Sequence, residues 1–406
     1  ARAGSEERLV GKPRASARQT GCAGMPLATS LSSAVLFTTP RRRRSPCTPI
    51  LLARSDEASG PPDEERDERE ESVSQIDLSR ELAAAVAAVR DASTVCLSVQ
   101  RNLVTAATLE KKDKSPVTVA DFASQALVCA SLAESSEISA VVGEEDAAEL
   151  REEDAAATRD KVVEHVRTVR GAGVGADQAL DWIDLGGVTP DDSTPRYWTL
   201  DPIDGTKGFL RGEQYAIALG LLEHGRVVLG VLGCPNLPGP DGEPGCLLTA
   251  VRGQGAQIRP LSATGADAAR EIRVSDITDT AAARFCESVE SGHSDQDQSA
   301  QIAAALDITE EPVRVDSQCK YAIVGQGQAQ IYLRLPTRKD YREKIWDHAA
   351  GMIVVEEAGG RVTDVRGNAL DFGHGRKLEN NAGVIATNGP IHDRVLEAVA
   401  KFVDVS

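Results

Sequence analysis

The residues best suited to chemistry lie in Leu200-Asp201-Pro202-Ile203-Asp204-Gly205-Thr206-Lys207-Gly208-Phe209. An apolar strand is expected to end at Leu200, because Pro202 removes a backbone donor and the Gly205-Thr206 pair can open a helix. The resulting turn aims the carboxylates of Asp201 and Asp204 out of the strand end. Oxygen ligands at that spacing suit a hard divalent cation, with the Ile203 carbonyl between them as a further ligand. Amides following Gly205 face the same way and favour a phosphate. An ordinary Asx turn accounts for the same residues, so the motif needs partners before it means chemistry.

Two other acidic positions qualify. Glu144 and Glu145 follow a short apolar strand and Gly143, while Asp347 follows Trp346 at or just before a helix start. If Glu144, Asp201, Asp204 and Asp347 converge, each pairwise repulsion is roughly 3 kcal/mol at about 5 Å and an effective dielectric near 20, too much to tolerate without cations. Four carboxylates and a carbonyl can seat about two or three Mg²⁺ ions. Such a site clamps the attacking and leaving oxygens of a phosphoryl displacement, which is phosphatase chemistry. A glycosidase needs only two carboxylates and no phosphate-seeking helix end.

The elements that must position these residues are patterned along the chain. Ile76, Leu78, Leu82, Ala85, Val86 and Val89 recur at helical spacing, with Ser79 as N-cap and an end near Leu103. A second helical pattern follows Thr118 through Phe122, Ala126, Leu127 and Leu132, and a short strand spans Ile138 to Val142. Residues 147–196 are rich in Ala and charge around a Gly-rich middle, and read as helices joined by a mobile connection. Strand patterning follows at Trp198–Leu200, Ala216–Leu222, Arg226–Leu232 and Cys246–Val251, and a last helix is expected over Ile391–Phe402. These elements predict an α+β fold of two sheet-containing domains, 73–272 and 273–406, with the site in a cleft between them.

Composition narrows the alternatives. Of 406 residues 26% are charged, and the mean hydropathy is −0.24. The longest uninterrupted apolar run, Leu82–Val89, is far short of the roughly 18–20 residues that cross a bilayer, so no membrane span is expected. A net charge of −17 argues against binding a nucleic-acid polymer. Eight cysteines without a CxxC pair exclude a disulfide scaffold or zinc finger, and most are expected to be plain core residues. Residues 1–54 carry ten Lys/Arg against two Asp/Glu and end close after Arg41–Arg44. That is the composition of an organelle transit peptide, plastid first and mitochondrion second, with a disordered basic tail as the alternative. Asp56–Glu71, with nine acidic residues and Pro61-Pro62, reads as a solvated linker, so 1–72 precede the folded part.

Gly143-Glu144-Glu145, Asp201-Pro-Ile-Asp-Gly-Thr206 and Trp346-Asp347-His-Ala-Ala-Gly351 resemble the three signature motifs of the lithium-sensitive, magnesium-dependent phosphomonoesterases, which include the inositol monophosphatases. Longer stretches narrow the resemblance to the 3′(2′),5′-bisphosphate nucleotidases: Lys114-Ser-Pro-Val-Thr-Val-Ala-Asp121, Lys207-Gly-Phe-Leu-Arg-Gly-Glu213, Cys234-Pro-Asn-Leu237, Asp316-Ser-Gln-Cys-Lys-Tyr321 and Tyr332-Leu-Arg-Leu-Pro336. The resemblance runs from about Val73 to Phe402. It implies a layered α/β/α/β/α sandwich, with Glu144, Asp201, Asp204, Asp347 and the Ile203 carbonyl on Mg²⁺. It further implies Asp121 and Thr206 as the water-activating pair, Glu145 helping to position water, and Thr206, His293, Ser317, Lys320 and Arg334 on a small-molecule nucleotide. The implied reaction is removal of the 3′-phosphate of 3′-phosphoadenosine 5′-phosphate, and of its phosphosulfate analogue, with Li⁺ inhibition.

Taken alone, several of these residues have simpler readings. Asp121 and Ser317 would make good N-caps, Arg334 could pair with a nearby carboxylate, and His293 sits in a loop typical of a surface histidine. Cys319 departs from the small apolar residue expected in many relatives. Two functional alternatives stay open: an inositol polyphosphate 1-phosphatase, or a redox-sensitive nucleotide-binding sensor using the cysteines from Cys96 onward. The oligomeric state is not legible.

Overall fold

A computed structural model describes residues 77–106, 115–138, 140–191, 193–265, 268–289, 296–336, 338 and 340–403. The expected transit peptide and acidic linker, and His293, lie outside the described residues. Those described pack as one compact unit.

Twenty-eight residues without Gly or Pro form α1 (Ser79–Ala106). Its first amide is held by Asp77, whose Oδ1 accepts from Ser79 N at 3.0 Å, so the capping group is this carboxylate and not the Ser79 hydroxyl. α2 (Ser115–Ser135) starts earlier than its apolar pattern, since Pro116 in the first turn gives up no helical hydrogen bond. Asp121 therefore sits inside the helix, and its N-cap reading falls. By length and composition Ser79–Asn102 of α1 is long and apolar enough to cross a membrane, at a mean hydropathy of 1.5. The eight-residue run hid this because polar residues interrupt it. In the fold, its Ala85, Val89, Val95 and Cys96 are buried in a core shared with α2 and the first sheet.

After β1 (Val141–Gly143), the expected helices of the 147–196 stretch are α3 (Ala148–Arg151), α4 (Ala156–Arg170) and α5 (Ala176–Asp184), with the Gly-rich middle forming the turn between α4 and α5. β2 (Arg196–Asp204) pairs parallel with β1, and α6 (Thr206–Arg211) follows it. β3 (Ala216–Glu223), β4 (Arg226–Pro238), β5 (Pro244–Val251), β6 (Gly255–Pro260) and β7 (Arg270–Ile272) extend the sheet antiparallel, giving seven strands in sequence order. β2 does not stop at Leu200. It runs on to Asp204 through an irregularity between Asp201 and Asp204, which accommodates Pro202.

The second sheet has the order β11-β12-β10-β8-β9, from β8 (Phe285–Glu287), β9 (Val313–Arg314), β10 (Ile331–Arg334), β11 (Arg361–Thr363) and β12 (Val384–Thr387). The helices between and after these strands are α7 (Gln296–Ala305), α8 (Cys319–Gly325), α9 (Ala349–Glu357) and α10 (His392–Val399). Three apolar layers hold the whole together. Leu219, Val231 and Leu247 face α1 and α2; Leu232 and Leu248 meet α8 and α9, which also touch the second sheet; Ile302 and Val395 cover the outer face of that sheet through Ile331 and Ile385. The result is an α/β/α/β/α sandwich. One sheet comes wholly from residues 141–272 and the other from 285–387, while α8 and α9 of the later segment complete the core of the first sheet.

Candidate active site

Register decides where the acidic residues emerge. Gly143 of β1 lies opposite Leu200 of β2, so the next residues, Glu144 and Asp201, leave the sheet at the same end. Asp204 closes β2 four residues after Leu200, and Asp347 ends a 3-10 turn, Ile345–Asp347, two residues ahead of α9. A cavity of about 450 Å³ opens there. Glu144, Asp201, Ile203, Asp204, Thr206, Ser317, Lys320, Arg334 and Asp347 all line it.

One wall is acidic and strained by its own charge. Burial, then Glu144, Asp204, Asp347 and Asp121, push the Asp201 carboxyl well above its ordinary range. Asp347 is raised by burial and then by Asp204, Glu343 and Glu144. Asp204 is raised by burial, against the opposing pull of Lys320 and of the Gln318 amide, which donates to its Oδ2 at 2.6 Å. Carboxylates crowded in this way can all ionise only beside cations, and hard oxygen donors of this kind fit Mg²⁺. Among the described residues, Glu343, Asp347 and His348 form the one group of three or more His, Cys, Asp or Glu side chains whose ligand atoms all lie within 4.8 Å of one another.

Basic side chains line the same cavity. Lys320 is 6% exposed, with Nζ 5.2 Å from the Tyr332 ring centroid. Arg334 pairs with a carboxylate, as its simpler reading allowed, since its Nε donates to Glu343 Oε1 at 3.2 Å; it lines the cavity all the same. The N-cap position of α8 is Gln318, not Ser317 as its simpler reading had it; the Ser317 hydroxyl accepts from Cys319 N at 3.1 Å in the turn before the helix and borders the cavity. Ser317 takes the left-handed backbone, φ 67°, a conformation that costs a non-glycine residue about 1 kcal/mol or more and marks functional sites. Gly205, at φ 94°, leaves it room, because a Cβ there would stand 2.9 Å from Ser317 Cβ.

Residues that sequence reasoning passed over hold the site in shape. Gln125 lies one turn after Asp121 on α2. Its Nε2 donates to Glu145 O (2.6 Å) and Ile183 O (2.9 Å), and its Oε1 accepts from Glu145 N (3.1 Å). A Cβ on Gly143 would come within 2.4 Å of that Oε1. Arg376 donates to Gly143 O and stacks 4.7 Å from the Trp346 ring centroid, tying the end of β1 to the Asp347 turn. Gln318 donates to Trp346 O at 2.8 Å and accepts from Gly351 N at 3.0 Å. The spacing of Gln125 from Asp121 was a usable signal; the others depend on contacts that span most of the chain.

Not every predicted residue arrives. Asp121 and Glu145 do not line the cavity, and no hydrogen bond joins Asp121 to Thr206 among the described residues. Asp121 is nonetheless raised well above its ordinary range by burial and then by Glu145 and Glu144, and Glu145 is pushed up to about 7 by burial and then by Glu144. All six described cysteines are buried, and burial pushes the Cys129 thiol up to about 12, which leaves it inert towards oxidants.

Comparison with known proteins agrees with this geometry. The inositol monophosphatase family model matches residues 77–403. A protein of Oryza sativa named 3′(2′),5′-bisphosphate nucleotidase is 46% identical over 338 residues, covering 79% of this chain and 93% of the relative. One of the same name from Emericella nidulans is 43% identical over 320 residues, covering 73% and 91%. Among solved structures, the extragenic suppressor protein suhB of Bartonella henselae superposes with a TM-score of 0.53 at 21% identity, over 79% of this chain and 99% of that one. The inositol monophosphatase of Anabaena gives 0.52 at 20% identity, over 81% and 99%. These two likenesses concern the fold. The chain belongs to the inositol monophosphatase family.

Proposed function

We propose that the chain is a Mg²⁺-dependent phosphomonoesterase that removes the 3′-phosphate of 3′-phosphoadenosine 5′-phosphate, and of its phosphosulfate analogue, and is inhibited by Li⁺. One observation carries the reading: a single cavity is lined by the carboxylates of Glu144, Asp201, Asp204 and Asp347 together with Lys320 and Arg334. The carboxylates call for cations and the basic side chains for an anion, so a substrate with two phosphates engages both. The nucleotidase names of the relatives quoted above support the nucleotide half of the reading.

Asp201, Asp204, Glu144, Asp347 and the Ile203 carbonyl would hold about two or three Mg²⁺ ions. When bound, these supply Lewis acidity and charge neutralisation for phosphoryl transfer. Lys320 and Arg334 bind the phosphate that is not cleaved, and Ser317 adds a hydroxyl donor. Thr206, which lines the cavity, orients the attacking water through Oγ1, and Asp121, set back from the cavity on α2, is the carboxylate that the resemblance pairs with it to receive the water proton. The P–O ester bond breaks, the water oxygen ends in inorganic phosphate, and the ribose 3′-hydroxyl regains a proton.

A phosphate-release panel with adenosine 3′,5′-bisphosphate, inositol 1-phosphate and inositol 1,4-bisphosphate tests this. The expected result is a kcat/KM advantage of at least about tenfold for the nucleotide, lost on chelation of Mg²⁺. Release from the inositol phosphates alone would overturn the nucleotide assignment. We also propose that residues 1–72 direct the chain to a plastid; a fluorescent fusion of that segment that stays in the cytosol would contradict it.

A further inference from the structure

Arg334 ends β10, where its guanidinium borders the cavity beside Lys320 and Tyr332. A free arginine samples many rotamers, and ordering one on a ligand costs side-chain entropy. Here the ordering is done in advance. Arg334 Nε donates to Glu343 Oε1 at 3.2 Å, and Glu343 is only 5% exposed. The other oxygen, Oε2, lies 3.4 Å from His348 Nε2. His348, 1% exposed, is fixed in turn by the buried Tyr321 hydroxyl, 2.8 Å from its Nδ1. Tyr321 sits in α8 directly after Lys320, so the line of contacts that sets Arg334 returns to the neighbouring basic residue.

We propose that Glu343, backed by His348 and Tyr321, is a positioning residue that holds the Arg334 guanidinium on the cavity wall to receive the substrate's second phosphate. The inference rests on the bisphosphate reading above. Glu343, Asp347 and His348 also present ligand atoms within 4.8 Å of one another, which invites a rival role for Glu343 as a metal ligand. The contacts favour positioning. One Glu343 oxygen already holds a guanidinium and the other faces an imidazole, and a divalent cation placed there would stand against the Arg334 charge.

The test is a double-mutant cycle in steady-state kinetics, with Glu343→Gln, Arg334→Met and the pair, each on adenosine 3′,5′-bisphosphate and on adenosine 3′-monophosphate. Glu343→Gln is expected to raise KM for the bisphosphate about tenfold with little change in kcat, and to move KM for the monophosphate far less. The double variant should be no worse than Arg334→Met, because Glu343 acts only through Arg334. Tyr321→Phe, which removes one hydroxyl, should shift the same KM in the same direction and keeps the test alive if Glu343→Gln does not fold. Equal loss of kcat on both substrates with a raised Mg²⁺ requirement would overturn the inference in favour of a metal ligand, as would additive effects in the cycle. A wild-type protein that treats the two substrates alike would overturn the functional reading and this inference together. A wild type that prefers the bisphosphate, with a Glu343→Gln variant that keeps the preference, would overturn the inference alone.

Discussion

Asp201 is 3% exposed and surrounded by other carboxylates, a placement that costs stability and has no packing rationale. Its Oδ1 accepts from Ile203 N at 3.1 Å, a bond that the amide oxygen of asparagine can keep. Asp201→Asn should therefore raise the unfolding free energy of the metal-free protein by about 1 kcal/mol, since it deletes a buried like charge without deleting a contact. The same change should lower turnover by about 100-fold or more, since it weakens the hold on the cations. Chemical denaturation in chelator and phosphate release in Mg²⁺ read the two effects; a destabilised variant with normal turnover would contradict the assignment. At this scale the sequence was informative because the signature carboxylates and their glycines are contiguous. It was silent on Glu343 and His348, whose roles exist only once β10 and the turn before α9 lie side by side.

The two-helix layer is where local pattern and tertiary need diverged. Apolar periodicity located α2 but missed its first turn, because Ser115-Pro116-Val117 reads as loop although proline is compatible with a first helical turn. That extra turn moved Asp121 from a cap position into the body of the helix. Gln125, one turn on, clamps both sides of the Glu145 peptide and so fixes the direction in which β1 delivers Glu144. Gln125→Leu leaves the Glu145 and Ile183 carbonyls without their shared donor and is expected to cost about 2–4 kcal/mol. It should also raise the Mg²⁺ concentration needed for half-maximal thermal stabilisation, a readout independent of turnover. Loss of stability with an unchanged Mg²⁺ dependence would confine Gln125 to packing. β2 taught a similar lesson: Pro202 was read as a strand terminator, yet an irregular ladder absorbs it and carries the strand to Asp204.

Across the whole molecule, two sheets share one helical layer, and the outer layer is closed by α10 against the second sheet. His392 at the start of α10 is fully buried, with Nε2 3.0 Å from Thr363 Oγ1 and Nδ1 2.9 Å from Thr387 Oγ1. Burial, and then Arg361, lower its pKa from 6.5 to about 4. A depressed folded-state pKa means that stability is full above 6.5 and falls as pH drops towards about 4, a change on the order of 3 kcal/mol. Denaturant melts across that window should show the loss in wild type and a flatter profile in His392→Asn; identical profiles would contradict it. The alternation of helix and strand made the fold class legible, but the sharing of α8 and α9 between the sheets was not, because their uniform apolarity points to burial without naming a side. The central claim is that the β1 end, the β2 end and the Asp347 turn jointly hold divalent cations. Crystals soaked in Mn²⁺ and measured for anomalous scattering test it most directly. The account predicts peaks about 2.0–2.2 Å from carboxylate oxygens of Asp201, Asp204, Glu144 and Asp347. Peaks only within the Glu343, Asp347 and His348 group, or none in the cavity, would contradict it.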